Sequence, residues 1–508
     1  MANIKRINLL SNVEVTDLYA RPDFNDDERA LYFTLNEQEQ TILNSYTTIN
    51  TRLYFILQLG YFKAKQQFFK FSFATVKHDV KFILKNHFKK NKSTLPSVSI
   101  SQYHIKKQQQ EISALFNYHE WSVKYELQTK LQICELLRYY PKSHNALRQL
   151  LNYFDGQQII IPTYRTIQDI FTASLRLEEK RLNQIILSIP KRKQKQLSAL
   201  IANNEGISQL NIMRADQKDF QFTAVRAEVE KAQKLAELYE FAKSVIPSLK
   251  LSKNAVRYYA DMVEQYTASR LRRLSKHLQW LYVICFVYHR YQQFMDNLII
   301  SFMYHIRAIL AEGKIYATKA QAEFNSNIVI EFPKLAQFLN WFPNRDKKLD
   351  YSALNQMAYK LLPKKQFLAL SKFLAGKKFD QEAAEWESYL KSSRLFSLYL
   401  RPILMAVKFD FYKEGSKIQE FISLLKMHYA EGKSPAMLKS SNDLESIIPK
   451  HNVSYLKSKS SNGTVDPLLF EFYVYKKMYH QLDKGKLYCN NSISYSGQLE
   501  EPPKFQIT

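Results

Sequence analysis

A chain of 508 residues exceeds what one ordinary core supports, and it predicts roughly three or four packed units. Hydrophobic residues make up 46% and aromatics 14%, including 33 Tyr and 33 Phe, so there is enough apolar surface to exclude wholesale disorder. The formal charge of +26, from 73 Lys+Arg against 47 Asp+Glu, favours a polyanionic partner or an anionic membrane surface, with nucleic acid ahead of the membrane.

Only 10 Gly and 15 Pro leave few of the tight turns that sheets require, while Leu, Lys, Gln, Glu and Ala fill long stretches with helix formers. The expected fold class is all-α and multidomain. The longest apolar run, Leu278 to Tyr288, is interrupted by Gln279 and ends at His289-Arg290, short of the ~20 residues of a spanning helix, so no membrane span is expected. The first residues carry no long apolar segment of a secretory signal, which points to a cytoplasmic, nucleoid-associated protein. Cys134, Cys285 and Cys489 are odd in number and far apart; this suits a reducing compartment and gives neither disulfide nor zinc spacing.

Taken in chain order, the first contrast is electrostatic. Residues 1–50 hold four basic and eight acidic side chains, whereas residues 51–100 hold ten basic and a single acid, Asp79. Asn36 followed by Glu39 reads as an N-cap with its capping-box partner, opening a short helix through Ile42 and Leu43. In the helix after it, Leu53, Ile56, Leu57 and Gly60 recur at i, i+3, i+4 and i+7, one apolar face on which Gly60 permits close approach. Beyond the Phe-rich bend 68–73, Val76, Val80, Ile83 and Leu84 form the inner face of a third helix; Lys77, Lys81 and Lys85 line another. The stripe runs into Lys89, Lys90 and Lys92 and a Ser/Pro segment at 93–99, the first linker, with a boundary near residue 95.

A second basic helix covers Ser101 to Leu115, and amphipathic helices follow at about 123–138 and 144–154. Asp155-Gly156 reads as a turn leading to Ile159–Pro162, after which Thr163 caps a helix with Ile167, Ile170, Phe171 and Leu175 on its apolar face. The first turn of that helix offers Tyr164, Arg165, Thr166 and Gln168, the polar and basic groups that a groove-inserted helix presents; a plain capped helix would look the same. From 220 to 312 the pattern is helical, and the apolar stretch after Leu271 belongs in a bundle core or between subunits. Residues 433–464 form a polar connector, and a short helix follows from Pro467 to Leu482. No fixed-period repeat is visible. The expected domains are 1–95, 96–215, 216–432 and 433–508.

Lysine rows often mark nothing more than a solvated face, but ten cations against one acid exceed what solubility requires. Arg52, Lys63, Lys65, Lys70, Lys77, Lys81 and Lys85, joined by Lys106 and Lys107, are therefore the candidate phosphate contacts, and Tyr164, Arg165, Thr166 and Gln168 the candidate base-edge readers. Tyr61, Phe62 and Phe68 could stack on bases, with core packing the simpler role. Lys191–Lys195 reads as an exposed basic turn or a phosphate patch. Gly432-Lys433-Ser434 has Met427 where a P-loop needs its first glycine, histidines do not cluster with cysteines or carboxylates, and no serine sits in a glycine elbow. No catalytic or metal-binding residue is assigned, and no cofactor is expected.

Phe33–Glu39 and Thr51–Phe68, then Ile161–Ile167, Leu271 through Asp296, Glu471–Val474 and Leu482–Tyr488, together resemble the N-terminal half of Tn-three family replicative transposases, in the family's order. The resemblance implies successive helix-turn-helix-like DNA-binding units that grip the transposon's terminal inverted repeats, then a helical dimerisation region. It also implies a ribonuclease-H-like domain whose Asp-Asp-Glu triad uses magnesium, and that domain would begin after residue 508; from Tyr495 the sequence departs from the family pattern. The expected function is thus sequence-specific binding to double-stranded transposon ends, as a homodimer or with a separate transposase chain. Activity as an enzyme is left open, the alternatives being a subunit of a split transposase or a general helical nucleic-acid scaffold.

Overall fold

A computed structural model describes residues 6–88, 100–204, 207–344, 350–376, 379–412, 416–433, 448–457 and 464–497. The expected linker at 93–99, its preceding Lys89, Lys90 and Lys92, and most of the connector 433–464 lie outside the described residues. About three quarters of the chain is helical, and the strands among the described residues are four two-residue segments. The all-α expectation therefore holds. Two compact units emerge, residues 1–198 with 243–286 and residues 199–242 with 287–508.

The first unit opens with α1 (Asn12–Tyr19), α2 (Asp26–Tyr32) and α3 (Glu37–Asn44). Each begins with a capping box, from Ser11 with Glu14, Asn25 with Glu28, and Asn36 with Glu39, so three short helices gain the local termini that length alone would not give them. They pack around α4 (Ile49–Lys65), where every residue from Leu53 to Phe62 is buried. That corrects the expectation of one inner face: α4 is the axle of the core and is enclosed on all sides by α2, α3, α5 (Lys77–His87) and α6 (Gln102–Leu115). Burial of Gln58 is met by Gln108 on α6, whose Oε1 accepts from Gln58 Nε2 at 2.9 Å while its own Nε2 donates to the Thr51 carbonyl at 2.8 Å.

A second core joins α7 (Val123–Tyr139), α8 (Ser143–Gly156) and α9 (Tyr164–Leu187) with the segment Ile7–Leu10. The turn expected at Asp155-Gly156 lies two residues later: α8 runs through Gly156, and the reversal falls on Gln157 and Gln158, the latter left-handed at φ 54°. The unit is completed by α10 (Lys191–Ile201), α13 (Lys253–Gln265), α14 (Ala268–Arg273) and the start of α15 (Lys276–Trp341).

In the second unit, α11 (Gln209–Arg214) and α12 (Phe222–Leu249) precede the main length of α15. Past His289-Arg290, where the sequence reading stopped its apolar run, Phe294, Met295, Leu298, Ile299, Phe302, Ile306 and Ile309 continue it, all buried. Among the described residues this one helix is long and apolar enough, by length and composition alone, to cross a membrane, but more than half of its apolar window is buried inside the protein, as in the core helix of a bundle. Arg290 ends no core here, because its guanidinium donates to the carbonyls of Met213 (2.8 Å) and Arg214 (2.9 Å) and pairs with Asp216. There follow α16 (Tyr351–Leu361), α17 (Lys364–Leu374), α18 (Gln381–Lys391), α19 (Ser393–Leu395) with a π-turn, α20 (Arg401–Ala406), α21 (Lys417–Ala430), α22 (Lys450–Val453) and α23 (Pro467–Asp483). β3 (Asp410–Phe411) pairs antiparallel with β4 (Leu487–Tyr488). Glu471 of α23 is fully buried and held by both guanidinium arms of Arg401 at 2.7 and 2.8 Å.

A Cβ added at Gly60 would lie 2.4 Å from the ring of Phe33, itself fully buried. In a free helix Gly→Ala would gain about 1 kcal/mol. Here Gly60→Ala should instead destabilise by about 1–3 kcal/mol through overpacking; a denaturant midpoint that rises would show that Phe33 has room to move.

Candidate nucleic-acid interface

The position of α5 follows from its entry. A 3-10 turn, Phe73–Val76, is closed by Ser72 and Thr75, and Val76, Val80 and Ile83 then turn toward α4 and are buried. With those positions inward, Lys77, Lys81 and Lys85 emerge exposed one turn apart, spanning about 12 Å along the helix axis. Among the described residues no carboxylate pairs with any of the three. Asp79, the one acid of residues 51–100, is on the opposite side and buried. Its Oδ1 accepts from Arg29 Nε at 2.8 Å, its Oδ2 from the Tyr61 hydroxyl at 2.5 Å, and Arg21 lies 3.6 Å away. Burial, and after it the Asp79 charge, pushes the Tyr61 phenol well above its ordinary value, so it stays a proton donor to the carboxylate.

The α5 face is accordingly a row of cations from which the local acid has been withdrawn. Like charges at i, i+4 destabilise a helix by about 0.2–0.5 kcal/mol a pair, and Lys77 sits at the positive end of the helix dipole. Both costs are relieved by an adjoining polyanion. Lys70, in the approach to α5, and Lys106, on α6, are exposed as well; Lys107 is exposed and has Glu111 at 3.9 Å one turn along.

Three of the other sequence candidates do structural work instead. Arg52 Nε donates to the Tyr46 carbonyl at 2.6 Å. Lys63 Nζ lies 2.7 Å from the buried Glu39 carboxylate and 2.9 Å from the Thr34 carbonyl. Lys65 Nζ closes on the carbonyls of Asp17 (2.5 Å) and Ala20 (2.9 Å). These cations pin α1 to α3 against α4, and their heads are committed to that task.

The first turn of α9 divides in the same way. Thr163 caps it as expected, accepting from the Thr166 amide, with the two threonine hydroxyls 2.8 Å apart. Arg165 is exposed. Tyr164 and Gln168, however, face the segment Ile7–Leu10: the Tyr164 hydroxyl accepts from the amides of Leu9 and Leu10, each at 3.0 Å, and Gln168 Nε2 donates to the Ile7 carbonyl at 2.9 Å. Arg6 pairs with Asp169 at 2.5 Å, and the Tyr19 hydroxyl donates to the Pro162 carbonyl at 2.6 Å. No local pattern signals this docking, because its partners lie some 150 residues apart. The pairing of Asp79 with Arg21 and Arg29 has one clue in the sequence, a lone acid in a basic stretch.

Lys191 and Arg192 stand exposed at the start of α10, within a helix instead of a turn. Tyr61 and Phe62 are buried, and Phe68 stacks on Phe62 with centroids 4.8 Å apart, the core role. The three cysteines are free and buried. Among the described residues no group of histidine, cysteine and carboxylate side chains is placed to hold a metal ion.

Residues 9–173 match a family model described as a domain of unknown function (DUF4158). The match begins at Leu9, ends one turn into α9 beyond Gln168, and so takes in both helical cores and the α5 face; it covers roughly a third of the chain. No curated protein matches the sequence.

Two stability outcomes follow. Asp79→Asn leaves Arg21 and Arg29 without their buried counter-charge and should cost about 3 kcal/mol, read from urea unfolding; a loss below a few tenths would mean that water or Asp26 replaces it. Tyr164→Phe strands the Leu9 and Leu10 amides and should cost about 1–3 kcal/mol locally, seen as faster hydrogen exchange at those two amides, with exchange at Leu53–Phe62 unchanged. Unaltered exchange at Leu9 and Leu10 would contradict the docking.

Proposed function

We propose that the region 9–173 is a double-stranded-DNA-binding module, with α5 laid along the phosphate backbone through Lys77, Lys81 and Lys85. The observation that carries this reading is the lysine row, with no carboxylate partner among the described residues, on a helix whose acid, Asp79, is buried and held by Arg29 and Tyr61. Lys70, Lys106 and Lys107 extend the same electrostatic footprint, and base-edge reading at the start of α9 is assigned to the exposed Arg165 with Thr166 beside it. Neutralising phosphates releases condensed counterions, so such a surface binds DNA strongly at low salt without reading sequence.

The match to the domain of unknown function, together with the resemblance of Phe33–Glu39, Thr51–Phe68 and Ile161–Ile167 to Tn-three family transposases, supports terminal inverted repeats of a transposon as the DNA. In this reading the chain serves transposition as its end-recognition component, with helix-turn-helix-like units in 1–215 and self-association through 216–432. It acts beside DNA and within the cytoplasm, and strand transfer with magnesium belongs to the family's triad domain.

The test is fluorescence anisotropy with a duplex of the element's inverted repeat and a scrambled duplex, at 50 and 200 mM salt. The repeat should bind more tightly, and Lys77→Ala/Lys81→Ala/Lys85→Ala should weaken both duplexes alike while lowering the slope of log K against log salt by about 2 to 3. Equal affinity for the two duplexes would remove end recognition; an unchanged slope in the triple variant would remove α5 from the interface.

A further inference from the structure

The turn that follows α23, within Leu482–Tyr488, builds a second basic site in the other unit. Helix α23 is buried along most of Pro467–Tyr475 and comes to the surface in its last two turns. There Lys477, His480, Gln481 and Lys484 fall at i, i+3, i+4 and i+7, on one face. The helix stops at Asp483, and Gly485 takes a left-handed φ of 64°, which glycine adopts without strain. Its amide donates to the Leu482 carbonyl at 3.0 Å, the Lys486 amide donates to the Gln481 carbonyl at 2.8 Å, and β4 then fixes the onward direction by pairing with β3. This reversal sets Lys486 beside the lysines of the helix, and the five residues line one concave pocket.

Lys477, Lys484 and Lys486 are exposed, and among the described residues no carboxylate pairs with them. Lysines at a helix C-terminus complement the macrodipole, which accounts for Lys484. It does not account for Lys486, which lies past the helix and is brought back by the turn. Partial burial first, and after it the neighbouring Lys476, Lys477 and Lys484, push the His480 imidazole below its ordinary value against the opposing pull of Asp483. On the flank, an adjoining hollow that shares Lys477 and His480 carries Glu382 from α18 and His451 from α22, and Glu382 and Glu385 act there on Lys476.

We infer that Lys477, His480, Gln481, Lys484 and Lys486 form a phosphate-binding site, in which three ammonium groups and the Gln481 amide surround the oxygens of one phosphate group. The phosphate is either a nucleic-acid backbone phosphodiester or free inorganic phosphate. The assignment stands on the α23 turn and its pocket and does not depend on α5.

The experiment uses the full chain and the variant Lys477→Ala/Lys486→Ala, with inorganic phosphate followed by calorimetry and duplex DNA followed by anisotropy. Saturable phosphate binding that weakens at least tenfold in the variant assigns the site to the free ion. Duplex binding that weakens several-fold, with the salt slope lowered by about 2 and no calorimetric signal from phosphate alone, assigns it to the backbone. If the alanine pair loses its helical circular dichroism, Lys477→Gln/Lys486→Gln keeps the side-chain stems and answers the same question. Equal binding of both probes by wild type and variant, or binding of neither probe by the wild type, overturns the site. Loss of duplex binding in the α5 triple variant alone leaves the DNA reading intact and removes α23 from it; phosphate binding without any duplex binding does the reverse.

Discussion

The buried carboxylate of Asp79 is the constraint on which the N-terminal architecture turns. An ionised acid beneath a helix is tolerable only with opposite charge and hydrogen-bond donors close by. Arg29 and Tyr61 supply both at 2.8 and 2.5 Å, with Arg21 close by at 3.6 Å. Those partners come from α2, from α4 and from the chain between α1 and α2, so meeting the demand of one side chain fixes how α5 lies against the rest. The consequence appears on the far face of α5, where no acid among the described residues tempers the lysine row. Structure and electrostatics are thus two results of one placement.

A second theme is the division of labour among cations. Lys63 and Lys65 look, in sequence, like the front of the basic stretch that ends at Lys85. In space they bond Glu39 and the carbonyls of α1 and its exit, so their charge is absorbed internally. Charge density along a chain therefore overstates the charge offered to a partner. The measure that matters is which heads lack an internal acceptor, and among the described residues that selects α5 and, independently, the turn after α23.

What could be read directly was whatever depends on neighbours within a turn or two. The capping box at Asn36 and Glu39, the cap at Thr163, and the close approach at Gly60 are all local geometries with fixed spacing, and all are present. What could not be read was set by distant partners. Nothing near Tyr164 announces that its hydroxyl receives two amides from Leu9 and Leu10, so a residue with the profile of a groove reader proves to be an anchor. The enclosed α4 is an intermediate case: its alternation suggested one inner face, while the aromatic residues on its other faces, Tyr54, Tyr61 and Phe62, already carried the apolar surface for burial on every side.

The anchoring of Ile7–Leu10 by the start of α9 also bears on how the protein is made. Leu9 leaves the ribosome 155 residues before the tyrosine that will hold it. At ~5–20 residues per second that interval is roughly 8–30 s. During this time α4 and its neighbours have all their partners and can condense, while Ile7, Leu9 and Leu10 still lack the cover that α8 and α9 will give them. The order of synthesis thus separates the two cores in time: the first closes on its own, and the second is sealed retroactively by a piece of chain that was waiting.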